Sequence, residues 1–242
     1  MKNKHCQWCD HAFQTEITYQ IYCSVECREA ATKEKIAERY TKTKRKKRVK
    51  QDRKCTSCAK PRNRLCSIDA STNSMAFAIF SDNNLVQYGK ITFVGTGTFA
   101  KVGDAARKTK ALFELFDIDA IAIEHTVFMN SPKTVGDLAL VQGALLGAAM
   151  LTGIKIVRSI NPITWQSYIN NGKLKKEEKL KVISDFPGKS LSWYKNKERE
   201  IRKQRTINIM NINYDVQVTD HDVADAIGVG HYALNNWEKL GS

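Results

Sequence analysis

The sequence predicts an α/β domain built on a mixed five-stranded sheet flanked by helices, with a small zinc-binding module in front of it. Three observations lead there. Between Leu65 and Ile160, short apolar runs bounded by turn residues alternate with helical spacing, in the order three strands, helix, strand, helix, strand. Two of those runs end in an acid, Asp69 and Glu124. Ahead of them, two cysteine pairs stand in about thirty residues that hold too few apolar side chains to form a core without a crosslink.

Composition bounds the rest. A chain of 242 residues, 42% of them hydrophobic, has room for one ordinary domain and an appendage. No run of eighteen apolar residues and no apolar leader is present, so neither a membrane span nor a secretory signal is expected, and the expected compartment is the cytoplasm, that of a host if the source is viral. The net charge of +14 calls for a polyanionic partner. It is concentrated: between Lys33 and Arg64 stand fifteen basic residues and three acidic ones. Seven cysteines without a secretion signal argue for metal ligation or buried thiols rather than disulfides.

Three segments follow in order. Residues 1–30 contain Cys6-x2-Cys9 and Cys23-x3-Cys27, whose spacing predicts a four-sulfur site for one structural zinc ion, in a module similar to the treble-clef or zinc-ribbon units of mobile-element nucleases. His5 and His11 are spare ligands at most. Residues 31–63 form a basic linker that starts as a helix, expected over 28–50, and the block Lys44, Arg45, Lys46, Lys47 and Arg48 is suited to phosphate contact that is blind to base sequence. Cys55-x2-Cys58 lacks a fourth ligand, which leaves open two free thiols on a turn or a site completed from elsewhere. Residues 64–242 are the main domain.

Within it, 65–71, 75–80 and 85–93 read as an antiparallel meander with a turn at Ser81-Asp82-Asn83-Asn84. A helix over 100–116 and a strand over 118–124 follow. The helix over 133–152 carries Val135, Leu138, Gln142, Leu145, Leu146 and Ala149 on one stripe and Gly136, Gly143 and Gly147 on another. Two contact faces predict packing on its own sheet and on a second copy, so a homodimer is expected through this helix. After a strand over 154–160 and a short helix from Pro162, residues 172–210 read as basic and less regular. Lys173, Lys175 and Lys176 stand in front of a short helix, and Lys195, Arg199 and Arg202 interleave with Trp193 and Tyr194 in a way that fits a DNA backbone or a solvated helix.

Near the end, Asp222 and Asp225 lie three residues apart on a predicted helix and therefore on one face, with Thr219, Asp220 or Asp222 as its cap. Like charges held so close need a cation or a shared proton. If that helix packs on the sheet, Asp69, Glu124, Asp222 and Asp225 surround two Mg²⁺ (or Mn²⁺) ions about 4 Å apart, the geometry of in-line phosphoryl displacement.

The motifs Cys66-Ser67-Ile68-Asp69-Ala70-Ser71, Ile121-Ala122-Ile123-Glu124, the Gly-rich helix around Gln142-Gly143, Pro162-Ile163-Thr164-Trp165, and His221-Asp222-Val223-Ala224-Asp225 stand in an order and spacing that resembles the RuvC-type Holliday junction resolvases of the RNase H-like superfamily. The resemblance spans 64–240 apart from a basic insertion at about 185–212. It implies an RNase H-like fold, catalysis by Asp69, Glu124, Asp222 and Asp225 as metal-binding acids, a phosphate-side role for Lys176, and a dimer with two active sites that cuts four-way DNA junctions. Phe128 resembles the family's aromatic wedge but is displaced by one residue. The insertion, the zinc module and the tether are departures that point to a viral, phage-type relative. A broader flap, fork or branch nuclease of the same fold, and a non-catalytic zinc-finger nucleic-acid-binding adaptor, are the alternatives.

Overall fold

A computed structural model of the chain describes residues 2–35, 64–125 and 131–241. The block Lys44 to Arg48, Phe128, and Cys55 and Cys58 lie outside the described residues. The chain divides into two compact units, residues 1–56 and 57–241.

In the first unit β1 (Lys2–His5) and β2 (Ala12–Thr15) form an antiparallel hairpin in which His5 pairs with Ala12. A helix, α1, occupies 25–35, beginning three residues before the expected start. Apolar burial is slight, and polar ties hold the loop between β2 and α1. The Lys4 ammonium donates to the carbonyls of Thr18 and Gln20 (2.9 Å to the latter), and Gln20 is bonded in turn to Thr15 and Tyr22.

The second unit contains the five-stranded sheet. Its strands are β3 (Arg64–Ala70), β4 (Ser74–Ser81), β5 (Asn84–Thr92), β6 (Ala120–Glu124) and β7 (Ile156–Ile160), in the spatial order β5-β4-β3-β6-β7. β3, β4 and β5 are antiparallel neighbours, whereas β6 is parallel to β3 and β7 parallel to β6. The hairpin between β4 and β5 turns through Asp82 and Asn83, both at positive φ, the conformation a two-residue turn demands and these residue types tolerate.

Strand alternation sorts the sheet into two faces. Cys66, Ile68, Phe77, Ile79, Ile121 and Ile123 point to one layer, where they pack with α2 (Thr98–Phe116) and α3 (Pro132–Leu151). Leu65, Ala76, Ala78, Phe80, Ala120 and Ala122 point to the other, where they pack with α4 (Pro162–Tyr168), α6 (Leu191–Tyr214) and α7 (His221–Asn236). α5 (Lys176–Asp185) braces α6 through ion pairs Arg205–Glu178 at 2.7 Å and Lys179–Glu198 at 2.9 Å. A 3-10 turn, Trp237–Gly241, closes the chain.

One expectation is corrected. The segment read as less regular holds, beyond the short helix expected behind the lysines (α5), a second helix, α6, 24 residues long. Only Thr206, Ile207 and Met210 of it are buried, so its apolar periodicity is too sparse to show in the sequence.

The small residues on the sheet's second face have a purpose in α7, which comes unusually close. A Cβ on Gly230 would lie 2.1 Å from Cε2 of Phe80 and 2.6 Å from Oγ of Ser67, and one on Gly228 would lie 2.6 Å from the ring of Trp165. Ser67 Oγ, fully buried on β3, donates to the carbonyl of Ala226 at 2.6 Å. Gly230→Ala must therefore lift α7 or displace Phe80, an overpacking that costs about 1–3 kcal/mol. The expected outcome is a thermal midpoint lowered by roughly 5 °C; an unchanged melt would show that α7 is not seated this tightly.

Candidate functional site

Parity brings the acids together. Asp69 is one residue beyond Ile68 on β3 and Glu124 one beyond Ile123 on β6, and those two isoleucines are register partners in the parallel pair. Each acid shares its alternation with the residues that face α7. The acids of α7, Asp222 and Asp225, act on them electrostatically from that side. Asp220 is the cap of this helix, accepting from the backbone N–H of Asp222 (2.8 Å) and Val223 (3.2 Å).

Electrostatics mark the cluster. Burial, then the neighbouring charges of Glu124, Asp225 and Asp222, push the Asp69 carboxyl up to about 8. Burial, with Glu124 and Asp222, pushes Asp225 up to about 7. Burial also raises Glu124, against a hydrogen bond from Trp165 Nε1 to its Oε2 at 2.8 Å. Three carboxyls raised by burial, two at adjacent strand ends and one on the helix that covers them, form an environment that favours a bound cation.

Asp222 has a different partner. Lys90 on β5 reaches its Oδ2 at 2.6 Å and Oδ2 of Asp220 at 3.0 Å, and His221 Nε2 lies 3.2 Å from its Oδ1. Among the described residues, two groups have ligand atoms all within 4.8 Å of one another: the four cysteines, and Asp220 with His221 and Asp222. No three of the four predicted acids form such a group. They lie within electrostatic reach and not in mutual contact, because like charges separate and Lys90 offers Asp222 a nearer cation.

The thiols of the first unit are packed as a tetrahedron's corners would be. Sγ of Cys9, Cys23 and Cys27 are 3.6, 3.6 and 3.7 Å apart, with Cys6 in the same group. Four sulfurs each about 2.3 Å from a zinc ion stand about 3.8 Å from one another, so the group fits zinc with little movement. Burial alone would raise the Cys6 thiol, but backbone N–H groups of Cys9, Cys23 and Trp8 outweigh it and hold it down at about 6, while the Cys27 and Cys9 thiols push Cys23 up to about 12. One pair comes from the hairpin tip, and Cys27 from the first turn of α1, the treble-clef arrangement rather than the two hairpins of a ribbon.

Among solved structures, RuvC of T. thermophilus in complex with a Holliday junction substrate superposes with a TM-score of 0.51, at 13% identity, over 70% of this chain and 94% of that one. The chain has a RuvC-type fold. A second Thermus thermophilus RuvC structure (TM-score 0.49, 14% identity, 70% and 95% covered) and the yeast mitochondrial Holliday junction resolvase Ydc2 (0.43, 15%, 74% and 81%) align more loosely. No family model and no curated protein matches the sequence.

In this RuvC-type domain the sequence-predicted DNA contacts separate. Arg199 and Arg202, on α6, line a cleft of about 120 Å³ together with Asp225. Lys195 lies exposed one turn before Arg199. Lys173, Lys175 and Lys176 are exposed where α5 begins, and the Lys175 backbone N–H bonds Glu178 at 2.7 Å. Lys90 and Lys203 go unread in the sequence, and Trp165 figures there only as the end of the Pro162-Ile163-Thr164-Trp165 motif, without a role. Lys90 and Trp165 reach the acids from 132 and 41 positions away, a span no local pattern covers. Lys203, whose charge opposes the upward shifts of Asp69 and Asp225, was hidden among the other cations of α6.

Two outcomes are expected. Metal analysis of purified protein gives one zinc per chain, lost in Cys23→Ser; retention of zinc by that variant would remove the four-thiol site. The carboxyl shifts set a pH dependence. An unfolded Asp titrates near 3.9, so from about pH 4 to about pH 8 the folded state holds protons that the unfolded state has released, and stability falls as pH rises through that window. A divalent ion that displaces those protons stabilises more at high pH. The Mn²⁺-induced rise in thermal midpoint is expected to be larger at pH 8 than at pH 6, and equal rises would mean that these carboxyls do not bind it.

Proposed function

We propose that this chain is a divalent-metal-dependent, structure-specific DNA endonuclease that acts as a homodimer on four-way junctions, hydrolysing one phosphodiester in each of two paired strands. What supports the reading is that Asp69 and Glu124 end adjacent parallel strands on the face that α7 covers, that Asp222 and Asp225 of α7 lie within electrostatic reach of them, and that burial raises the carboxyls of Asp69, Glu124 and Asp225.

The donor set is all carboxylate oxygen, which fits Mg²⁺ or Mn²⁺ and not the softer ion that the thiols suit. When bound, two such ions supply charge neutralisation at the attacking and leaving oxygens and an acidified water. The chain's own residues hold the geometry. Trp165, itself fully buried, fixes the Glu124 carboxylate through its indole N–H, and Gln142 donates to the Glu124 carbonyl at 3.1 Å. Asp225 is steadied by Thr206. Lys90 orients Asp222 through the ion pair at 2.6 Å.

Support for a homodimer comes from α3. Leu138, Val141, Leu145, Ala148 and Ala149 are buried in its own layer. The other side is also apolar: Leu140, Met150 and Leu151 are exposed, and Cβ atoms built on Gly136, Gly143 and Gly147 meet nothing within 4 Å. The helix is long and apolar enough to cross a membrane, with a mean hydropathy of 1.5, but its buried side is part of the domain core. A stripe of small residues flanked by exposed leucine and methionine suits close approach by a second copy. The zinc module and the cationic segment 33–64 then add affinity for the backbone of branched DNA.

The deciding experiment is a nicking assay on a panel of four-way, three-way, flap and RNA-hybrid substrates in Mg²⁺, with an EDTA control. Wild type is expected to cut the four-way junction in paired strands, Asp69→Asn and Asp222→Asn to lose roughly a thousandfold in rate, and Gly143→Trp to sediment as a monomer that cuts singly. Wild-type rates in the amide variants would overturn the site, and equal cutting of flaps would replace junction resolution by the broader activity. Binding without nicking would leave the adaptor.

A further inference from the structure

The cleft beside Asp225 has a composition that the carboxylate cluster does not account for. Its walls are Arg199, Arg202, Lys203 and Thr206 of α6, Gln166 and Asn171 near α4, and Asp225 of α7. Three cations face one carboxylate, so the cleft is net positive although it opens beside the most acidic point of the domain. At about 120 Å³ it is well below the roughly 300–1,000 Å³ of pockets that enclose a small molecule and several times the ~30 Å³ share of a water. One compact anionic group fits such a space, and a base or a whole nucleotide does not.

The cations differ in how far they are already engaged. Elsewhere on α6, Arg205 is paired with Glu178 and Lys197 with Glu200. Arg202 is half-buried, bonds Gln166 Oε1 through one guanidinium nitrogen, and leaves Nε buried with no acceptor. Asn171, 2% exposed, fixes this part of α6 by donating to the Arg202 carbonyl (2.7 Å) and to Thr206 Oγ1 (2.9 Å), and its own Oδ1 is buried without a donor. Arg199 and Lys203 are exposed and, among the described residues, make no ion pair. A rigidly held helix thus presents two free cations and an unsatisfied guanidinium N–H to one cleft.

Spacing extends the pattern outward. Lys195, Arg199 and Lys203 stand at i, i+4 and i+8, a single stripe on α6 in which successive cations advance by about 6 Å. An extended polynucleotide strand steps its phosphates at a similar interval. The stripe ends where Asp225 begins.

We propose that this cleft is a phosphate subsite. Arg199 and Lys203, with Arg202 behind them, hold a backbone phosphate of the cut strand next to the one that enters the carboxylate cluster, so that the insertion helix sets which phosphodiester is presented. The ligand is a phosphodiester of DNA, and the proposal rests on the nuclease reading only for the word "cut"; the contact itself is a binding contact. Lys203 and Arg199 are positioning residues, since they grip a neighbouring phosphate and not the reacting atoms.

The test is equilibrium binding of the full-length protein to a four-way junction in Ca²⁺, using junctions in which one phosphate at a time along one strand through the branch point is replaced by an uncharged methylphosphonate. Wild type is expected to lose roughly tenfold in affinity at particular phosphates, the size of one hydrogen bond to a charged group. Lys203→Met should be weaker by about the same factor on the unmodified junction and show no further loss at one of those positions. Lys203→Arg should restore both. Equal sensitivity of wild type and Lys203→Met at every position, or no loss of affinity in Lys203→Met, overturns the subsite. Nicking of the unmodified junction in Mg²⁺ reports separately: a protein that shows the binding pattern and does not nick keeps the subsite and loses the nuclease reading, and one that nicks without the pattern does the reverse.

Discussion

The seat of α7 on the sheet is the contact on which everything else rests. Ser67, at the centre of β3, spends its hydroxyl on the Ala226 carbonyl, and Gly228 and Gly230 let the helix backbone press onto Trp165 and Phe80. Without that approach the two acids of α7 would stand a side chain's thickness further from Asp69 and Glu124. The same contact explains why the residues of the sheet under α7 are small, with Ala76, Ala78, Ala120 and Ala122 all buried there. Packing here is set for position more than for buried area, and Trp165 shows how closely the two are joined. Its ring supports Gly228 and its N–H holds Glu124, so one side chain ties a helix to a carboxylate.

Crowding carboxylates opposes folding, and the domain meets that repulsion with cations from outside the cluster. Lys90 comes from the edge strand to Asp222, and Lys203 from the insertion helix toward Asp69 and Asp225. Their environments differ. Lys90 is in contact with a carboxylate at 2.6 Å, whereas Lys203 is exposed and acts across the cleft. The first must yield for Asp222 to bind a divalent ion. The second has no ion-pair partner among the described residues, so under the proposed subsite a strand drawn to α6 would arrive beside the acids without displacing anything.

Much of this was legible in the sequence. A buried strand that ends in an acid breaks the apolar pattern, and Asp69 and Glu124 do so in the same way on what prove to be adjacent parallel strands. Cysteine spacing likewise singled out the four thiols that the fold gathers, and Gly136, Gly143 and Gly147 marked a side of α3 that the domain leaves uncovered. What stayed hidden was pairwise and distant. The purpose of Gly228 and Gly230 requires knowing that Phe80 and Trp165 lie beneath them. The regularity of α6 was masked because a helix that buries three residues of 24 has almost no apolar period, and its cations look the same in a solvated tail as in a cleft. Lys90 has nothing local to announce it, since both carboxylates it meets come from a helix 130 positions later.

The charge distribution divides labour between the two ends of the chain. Most of the +14 lies in the segment 33–64, while the rest of the protein is close to neutral. Dense lysine and arginine give affinity that falls steeply with salt and carries no positional information. The α6 stripe is the opposite case: few cations, fixed by Asn171 and by pairing with α5, next to the acids. Losing the tether should therefore weaken all DNA alike, whereas disturbing α6 should shift where along a strand the acids engage. A substrate that presents its backbone at a branch suits this arrangement, because the tether needs only phosphate density and the cleft needs one phosphate at a set distance from Asp225. Under the proposed function, shape would be read twice, loosely by charge and closely by α6, with no contact to a base required.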